Sequence, residues 1–211
     1  MAVALRGLYS ASMADVLYHL NARDELVFVN QAWSEFAEAN GAEAMQPMLV
    51  LRRPLWDFIS DRTTRHIYRA LFERIRAQEE TIRLSFRCDS PAERRLLDLE
   101  MTALEDGGIQ CRVHQVESSS RKPMSLLDPS QPRSEELIRV CSWCKRVGIA
   151  DERWLDVEDA VTGLGLFVDQ LPPDLTHGIC PDCSRILDAR LREGREGAAT
   201  PSRPVHQGTS R

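Results

Sequence analysis

Between Thr81 and Glu117, apolar side chains recur at every second position in three successive runs. In TIRLSFRC they are Ile82, Leu84, Phe86 and Cys88, with Arg83, Ser85 and Arg87 opposite; in RRLLDLEMTAL they are Leu97, Leu99, Met101 and Ala103; after EDGG they are Ile109, Cys111 and Val113. A period of two marks a pleated strand with one buried face, so these runs predict an antiparallel meander whose turns are DSPAE and EDGG. Cys88 and Cys111 fall on the apolar faces and are expected as buried thiols rather than ligands. Upstream, VLYHL and LVFVN flank the polar connector NARDE and predict a further strand pair.

Between these strand groups the period becomes helical. In QAWSEFAEANG, Ala32, Trp33, Phe36 and Ala37 share one side, and Gly41 suits a helix C-terminus. From Asp61 to Glu80, Ile67, Leu71 and Ile75 form one stripe, with Asp61 or Thr63 as the expected cap. The order is strand, strand, helices, three strands, which places residues 1–117 in the α+β class. The next segment, 118–134, holds three prolines and six serines with no sustained period and is expected to be a flexible linker. A compact cysteine-rich module follows at 135–192, and 193–211 is too poor in large apolar residues to fold alone, so a disordered tail is expected there.

The module carries the clearest chemistry. Cys141 and Cys144 stand in VCSWCKR, Cys180 and Cys183 in HGICPDCSR, two CxxC pairs separated by 35 residues. A knuckle turn presents both sulfurs of such a pair to one side, and four sulfurs satisfy the tetrahedral preference of Zn²⁺ at about 2.3 Å. Zn²⁺ on Cys141, Cys144, Cys180 and Cys183 is therefore the expected site; an iron-sulfur cluster or a redox dithiol is the alternative use of the same residues. Pro181 and the apolar positions Ile186, Leu187 and Leu191 put Cys183 in the first turn of a helix, where free N–H groups favour a thiolate. His177 has three readings: a ligand replacing one cysteine, a hydrogen-bond donor to a ligand sulfur, or a solvated loop residue.

Charge narrows the partners. The whole chain carries a formal −5, and Arg133 to Arg192 holds 8 Lys and Arg against 11 Asp and Glu, so a phosphate backbone is repelled and nucleic acid is not an expected partner. The N-terminal MAVALRGLYSASMADVLYHL has no continuous apolar h-region and is expected to remain uncleaved. No run approaches the roughly 20 apolar residues of a membrane span, so a cytoplasmic location without membrane contact is expected, where paired cysteines serve as ligands more often than as disulfides. A phosphate-cradling GxxxxGK[ST] loop and a GxSxG elbow are missing from the sequence, and the adjacent pairs Glu135-Glu136 and Glu158-Asp159 point apart on a helix. Four cysteines also close a zinc site that a hydrolase needs open. No enzyme is expected.

DELVFVNQAWSEFAEANG, then RPLWDFISD, the helix to Glu80 and the three-strand meander resemble a PAS sensor domain. CSWCKR, Trp154 and HGICPDC together look like a cysteine-rich segment found after PAS or receiver domains in bacterial signalling proteins. The first resemblance implies a five-stranded antiparallel sheet whose helices enclose a small pocket for a ligand of unknown identity, a homodimer, and output passed to a partner protein. It also makes His66 a candidate haem ligand, because haem-binding members place their proximal histidine near the start of the long helix; with Arg65 and Arg69 beside it, His66 otherwise reads as part of a solvated face. The expected function is a non-enzymatic signalling protein in which a PAS-like domain is coupled to a zinc module. The alternative is a redox or gas sensor with an iron-sulfur cluster on the four cysteines or haem in the PAS-like domain.

Overall fold

The computed structural model describes residues 14–149, 153–163 and 171–197. Most of the tail expected at 193–211 lies outside them, as does most of the N-terminal segment read as uncleaved.

Two strands, β1 (Val16–Leu20) and β2 (Leu26–Val29), form the opening hairpin. Its connector is held by the Asn21 carboxamide oxygen, which accepts from the backbone N–H groups of Arg23 and Glu25. Helix α1 (Gln31–Ala39) is capped by Asn30, whose side chain accepts from Trp33 N, and the chain leaves it through Gly41 at φ +62°, a left-handed conformation that costs glycine little. After the single turn α2 (Pro47–Val50) comes α3 (Arg62–Gln78), capped by Asp61 through a 2.7 Å bond from Thr64 N. Its buried stripe is the expected Ile67, Leu71 and Ile75, with Phe72 added.

The meander forms β3 (Thr81–Arg87), β4 (Glu93–Ala103) and β5 (Ile109–Ser120). Register joins the predicted faces: Ile82 opposes Met101, Leu84 opposes Leu99, Phe86 opposes Leu97, and Met101 in turn opposes Cys111. Strand β1 pairs with β5, so the antiparallel order is β2-β1-β5-β4-β3. In the EDGG turn Gly107 takes φ +76°, and a Cβ on Gly108 would meet Leu20 O at 2.5 Å, so both glycines are required where the β4–β5 turn crosses β1. Leu20, Leu26, Leu71, Ile75, Leu99, Met101 and Ile109 are wholly or almost wholly buried between sheet and helices. The fold class is the expected one: α+β, a five-stranded antiparallel sheet with flanking helices, then a small module containing the cysteines.

The second module is a four-stranded sheet in the order β8-β7-β6-β9, from β6 (Ser134–Cys141), β7 (Val147–Gly148), β8 (Trp154–Leu155) and β9 (Pro173–Gly178). Strands β6 and β9 are parallel. Helix α4 (Val157–Gly163) covers one face with Val157 and Ala160, and α5 (Pro181–Gly197) follows the second cysteine pair, running past the expected module end at Arg192.

The segment expected to be a flexible linker is packed. Ser118–Ser120 extend β5 against Glu93–Arg95, and Leu126 is fully buried among Val140, Val147, Val157 and Ala160. The Arg133 guanidinium donates to the carbonyls of Leu126, Asp128 and Pro173. Side chains of both halves share one apolar core that includes Phe72, Leu84, Trp143 and Leu187.

Candidate metal centre

Each cysteine pair is set at the end of a regular element. Strand β6 delivers Cys141; the chain turns back at Ser142-Trp143, and Lys145 adopts φ +63° so that β7 can return antiparallel. Two backbone bonds close this knuckle: Lys145 N–H donates to Cys141 O at 3.0 Å, and Cys141 N–H to Arg146 O at 2.8 Å. Parallel pairing brings β9 alongside β6, with Gly178 opposite Cys141, and so carries Cys180 and Cys183 to the same place. Cys180 precedes α5 and Cys183 lies in its first turn, as expected; Cys183 N–H donates to Cys180 Sγ at 3.4 Å, so this sulfur also caps the helix.

The four sulfurs lie within 4.8 Å of one another, and Cys144 Sγ is 3.6 Å from Cys180 Sγ. Around an ion bonded at about 2.3 Å to each sulfur, tetrahedral S–S edges are about 3.8 Å. The set is thus of a size to hold one metal ion. Cys141, Cys180 and Cys183 are buried and Cys144 is half-buried.

The sulfurs also share protons with one another. Hydrogen bonds from the Cys144 and Cys183 thiols, with the N–H groups of Cys144 and Cys180, hold the Cys141 thiol well below its usual range; its partners Cys144 and Cys183 are pushed up, because each keeps its proton to share with it. One thiolate is stable in this cluster without help, whereas four require a cation. Arg146, whose charge interacts with Cys144 and Cys180, pairs with Asp182 at 2.8 Å and so braces the first CxxC against the second. That brace was not evident from spacing, since Arg146 and Asp182 are 36 residues apart.

His177, an exposed residue overall, stands on β9 outside the group formed by the four sulfurs, and partial desolvation of its imidazole lowers its pKa. His66 is exposed on α3 and is not among the residues lining the domain's apolar cavity. Cys111 is fully buried, its thiol pushed up to about 12 by desolvation. Cys88 is half-buried and lines that cavity, a space of about 200 Å³ between α1 and the five-stranded sheet.

Trp143, between the two cysteines of the first pair, is the residue that spacing did not single out. It is 7% exposed, its indole N–H donates to Ser85 O at 2.8 Å, and its carbonyl accepts from Arg87 N at the same distance. Its ring lies 6.2 Å from Tyr68 and 6.1 Å from Phe86. The signal was present in the sequence: a tryptophan at the tip of a knuckle has nothing local to bury against.

Among the described residues no helix is long and apolar enough to cross a membrane. No protein-family model and no curated protein matches the chain. Among solved structures it is similar to the PAS domain of BvgS from Bordetella pertussis, at 14% identity and a TM-score of 0.38, over 49% of this chain and 77% of that one. It is also similar to a domain of a sensory box sensor histidine kinase/response regulator from Geobacter sulfurreducens, at 21% identity and a TM-score of 0.34, over 47% and 82% of the two chains. A domain of an HTR-like protein from Haloarcula marismortui matches at 13% identity and a TM-score of 0.32, over 49% and 98%.

Proposed function

We propose that this chain is a non-enzymatic cytoplasmic signalling protein, in which a PAS-like sensing or dimerisation domain carries a structural Zn²⁺ module that engages a partner protein. The observation that carries the reading is the closed thiol set: four mutually adjacent sulfurs, three of them buried, leave no position for a substrate. Cys141, Cys144, Cys180 and Cys183 would hold the ion, which would neutralise the thiolates and fix two elements, β6 and α5, that are distant in sequence.

The compactness of the set favours a single ion over a polynuclear cluster, whose terminal sulfurs stand further apart. An exposed groove of about 640 Å³ on the free face of the second sheet, with Leu137, Arg139, Trp154 and Thr176 in its lining, supports a partner-binding role for the module. Leu137 is 70% exposed there, and Ile186, one of the apolar positions of α5, is 60% exposed.

Metal analysis and an absorption spectrum of anaerobically purified full-length protein test the reading. A colourless sample with one zinc per chain is expected. Acid-labile sulfide with a broad band near roughly 400 nm would replace zinc by an iron-sulfur cluster, and a sharp Soret band would return His66 to consideration.

A further inference from the structure

The apolar cavity and the cysteine cluster share a wall. Phe86 lines the cavity together with Trp33, Phe36, Met45 and Leu97, and on its other side meets Trp143 at 6.1 Å between ring centroids, inclined at 56°. Trp143 is fixed to β3 on both sides of Phe86, by its indole N–H to Ser85 O and by Arg87 N–H to its carbonyl. It is equally fixed to the sulfurs, because only one residue separates it from Cys141 and none from Cys144. A shift of the Phe86 ring is thus opposed by packing that continues into the ligand loop.

We propose that occupancy of the apolar cavity and occupancy of the metal centre are linked through the Phe86–Trp143 pair. An uncharged apolar molecule that fills or reshapes the cavity changes how tightly the knuckle holds its ion, and loading the ion changes the cavity's affinity by the same factor. The inference rests on the metal-binding reading and deepens it: the metal centre reports on the sensor domain rather than only bracing the module.

The test is the rate at which zinc-loaded, full-length protein transfers its metal to a chromophoric chelator. Three variants perturb the path at successive points: Trp143→Phe in the knuckle, Phe86→Leu in the wall, and Leu97→Val behind the wall, where Leu97 opposes Phe86 in register without belonging to the knuckle. Phe28→Leu, on the opposite edge strand β2, is the control. Each path variant is expected to release zinc at least about fivefold faster than the wild type, the lower end of ordinary coupling energies. The Phe86→Leu/Trp143→Phe double variant is expected to fall short of the product of the single effects, and the control to be unchanged. Far-UV circular dichroism identifies any variant that fails to fold, and Leu97→Val, the mildest change, then decides. If zinc binds stoichiometrically but Leu97→Val and Phe86→Leu release it at the wild-type rate, the coupling is overturned while the metal reading stands. A wild-type chain that binds no zinc overturns both.

Discussion

Arg94 grips Glu158 with two nitrogens, Nε at 2.9 Å and Nη2 at 2.7 Å, and so ties β4 of the first domain to the first turn of α4 in the second. Arg121 adds a third bond to Glu158 at 2.9 Å and reaches Asp89 at 3.1 Å, whose side chain is fully buried. The two halves are therefore joined by a paired charge network as well as by Trp143.

The Arg94 side chain, followed by that of Arg121, holds the Glu158 carboxyl down to about 2 from its ordinary 4.5. The folded value lies below the unfolded one, so the contribution is complete above pH 4.5 and is lost as pH falls from there through about 2. Glu158→Gln is expected to cost about 1.5–3 kcal/mol at neutral pH, the range for hydrogen bonds to a charged group. In urea unfolding at a series of pH values, the gap between wild type and variant is expected to close over that acid window; a gap independent of pH would show that the ion pair is not its source.

Cys141→Ser removes the sulfur that collects N–H groups from both pairs. On the zinc reading, loss of stoichiometric metal is expected, with a fall in stability of several kcal/mol because metal-binding energy would then be folding energy. Metal analysis and thermal unfolding check it. Chelation of wild-type protein is expected to produce the same destabilisation.

His177→Ala is expected to retain full metal content, since the four sulfurs are complete without the imidazole. Loss of zinc in this variant would place His177 in the coordination sphere.

Leu126→Ala is expected to destabilise the protein by about 2–4 kcal/mol, the range for a fully buried leucine. A flexible linker predicts no effect. Limited proteolysis gives a second readout: cleavage within 118–134 is expected to be slow in wild type and faster in the variant.

The first domain was legible because one rule governs it. Ile82, Leu84 and Phe86 meet Met101, Leu99 and Leu97 across a sheet with one buried face, and a period of two announces that arrangement directly. The cysteine site was legible from spacing, since both CxxC pairs bring their sulfurs to one place. The second sheet was not: β7 and β8 have two residues each, too short for any period, and β6 pairs with β9 across more than thirty intervening residues. The packed segment 118–134 hid for another reason. Its prolines and serines read as solvent-exposed, yet a single buried side chain, Leu126, anchors it, and one residue makes no pattern.

Among the described residues, strand β3 is the outer strand of its sheet, with no further strand beside it. An open strand edge is a template for pairing with another chain, and proteins protect such edges by covering or interrupting them. The Trp143 loop does so here, occupying the carbonyl of Ser85 and the amide of Arg87. If the four cysteines hold an ion as proposed, stripping it is expected to loosen that cover and free both groups, so that metal depletion makes the chain prone to self-association. On the proposed metal-bound reading, the ion would thereby protect solubility at a sheet edge to which none of the four cysteines belongs.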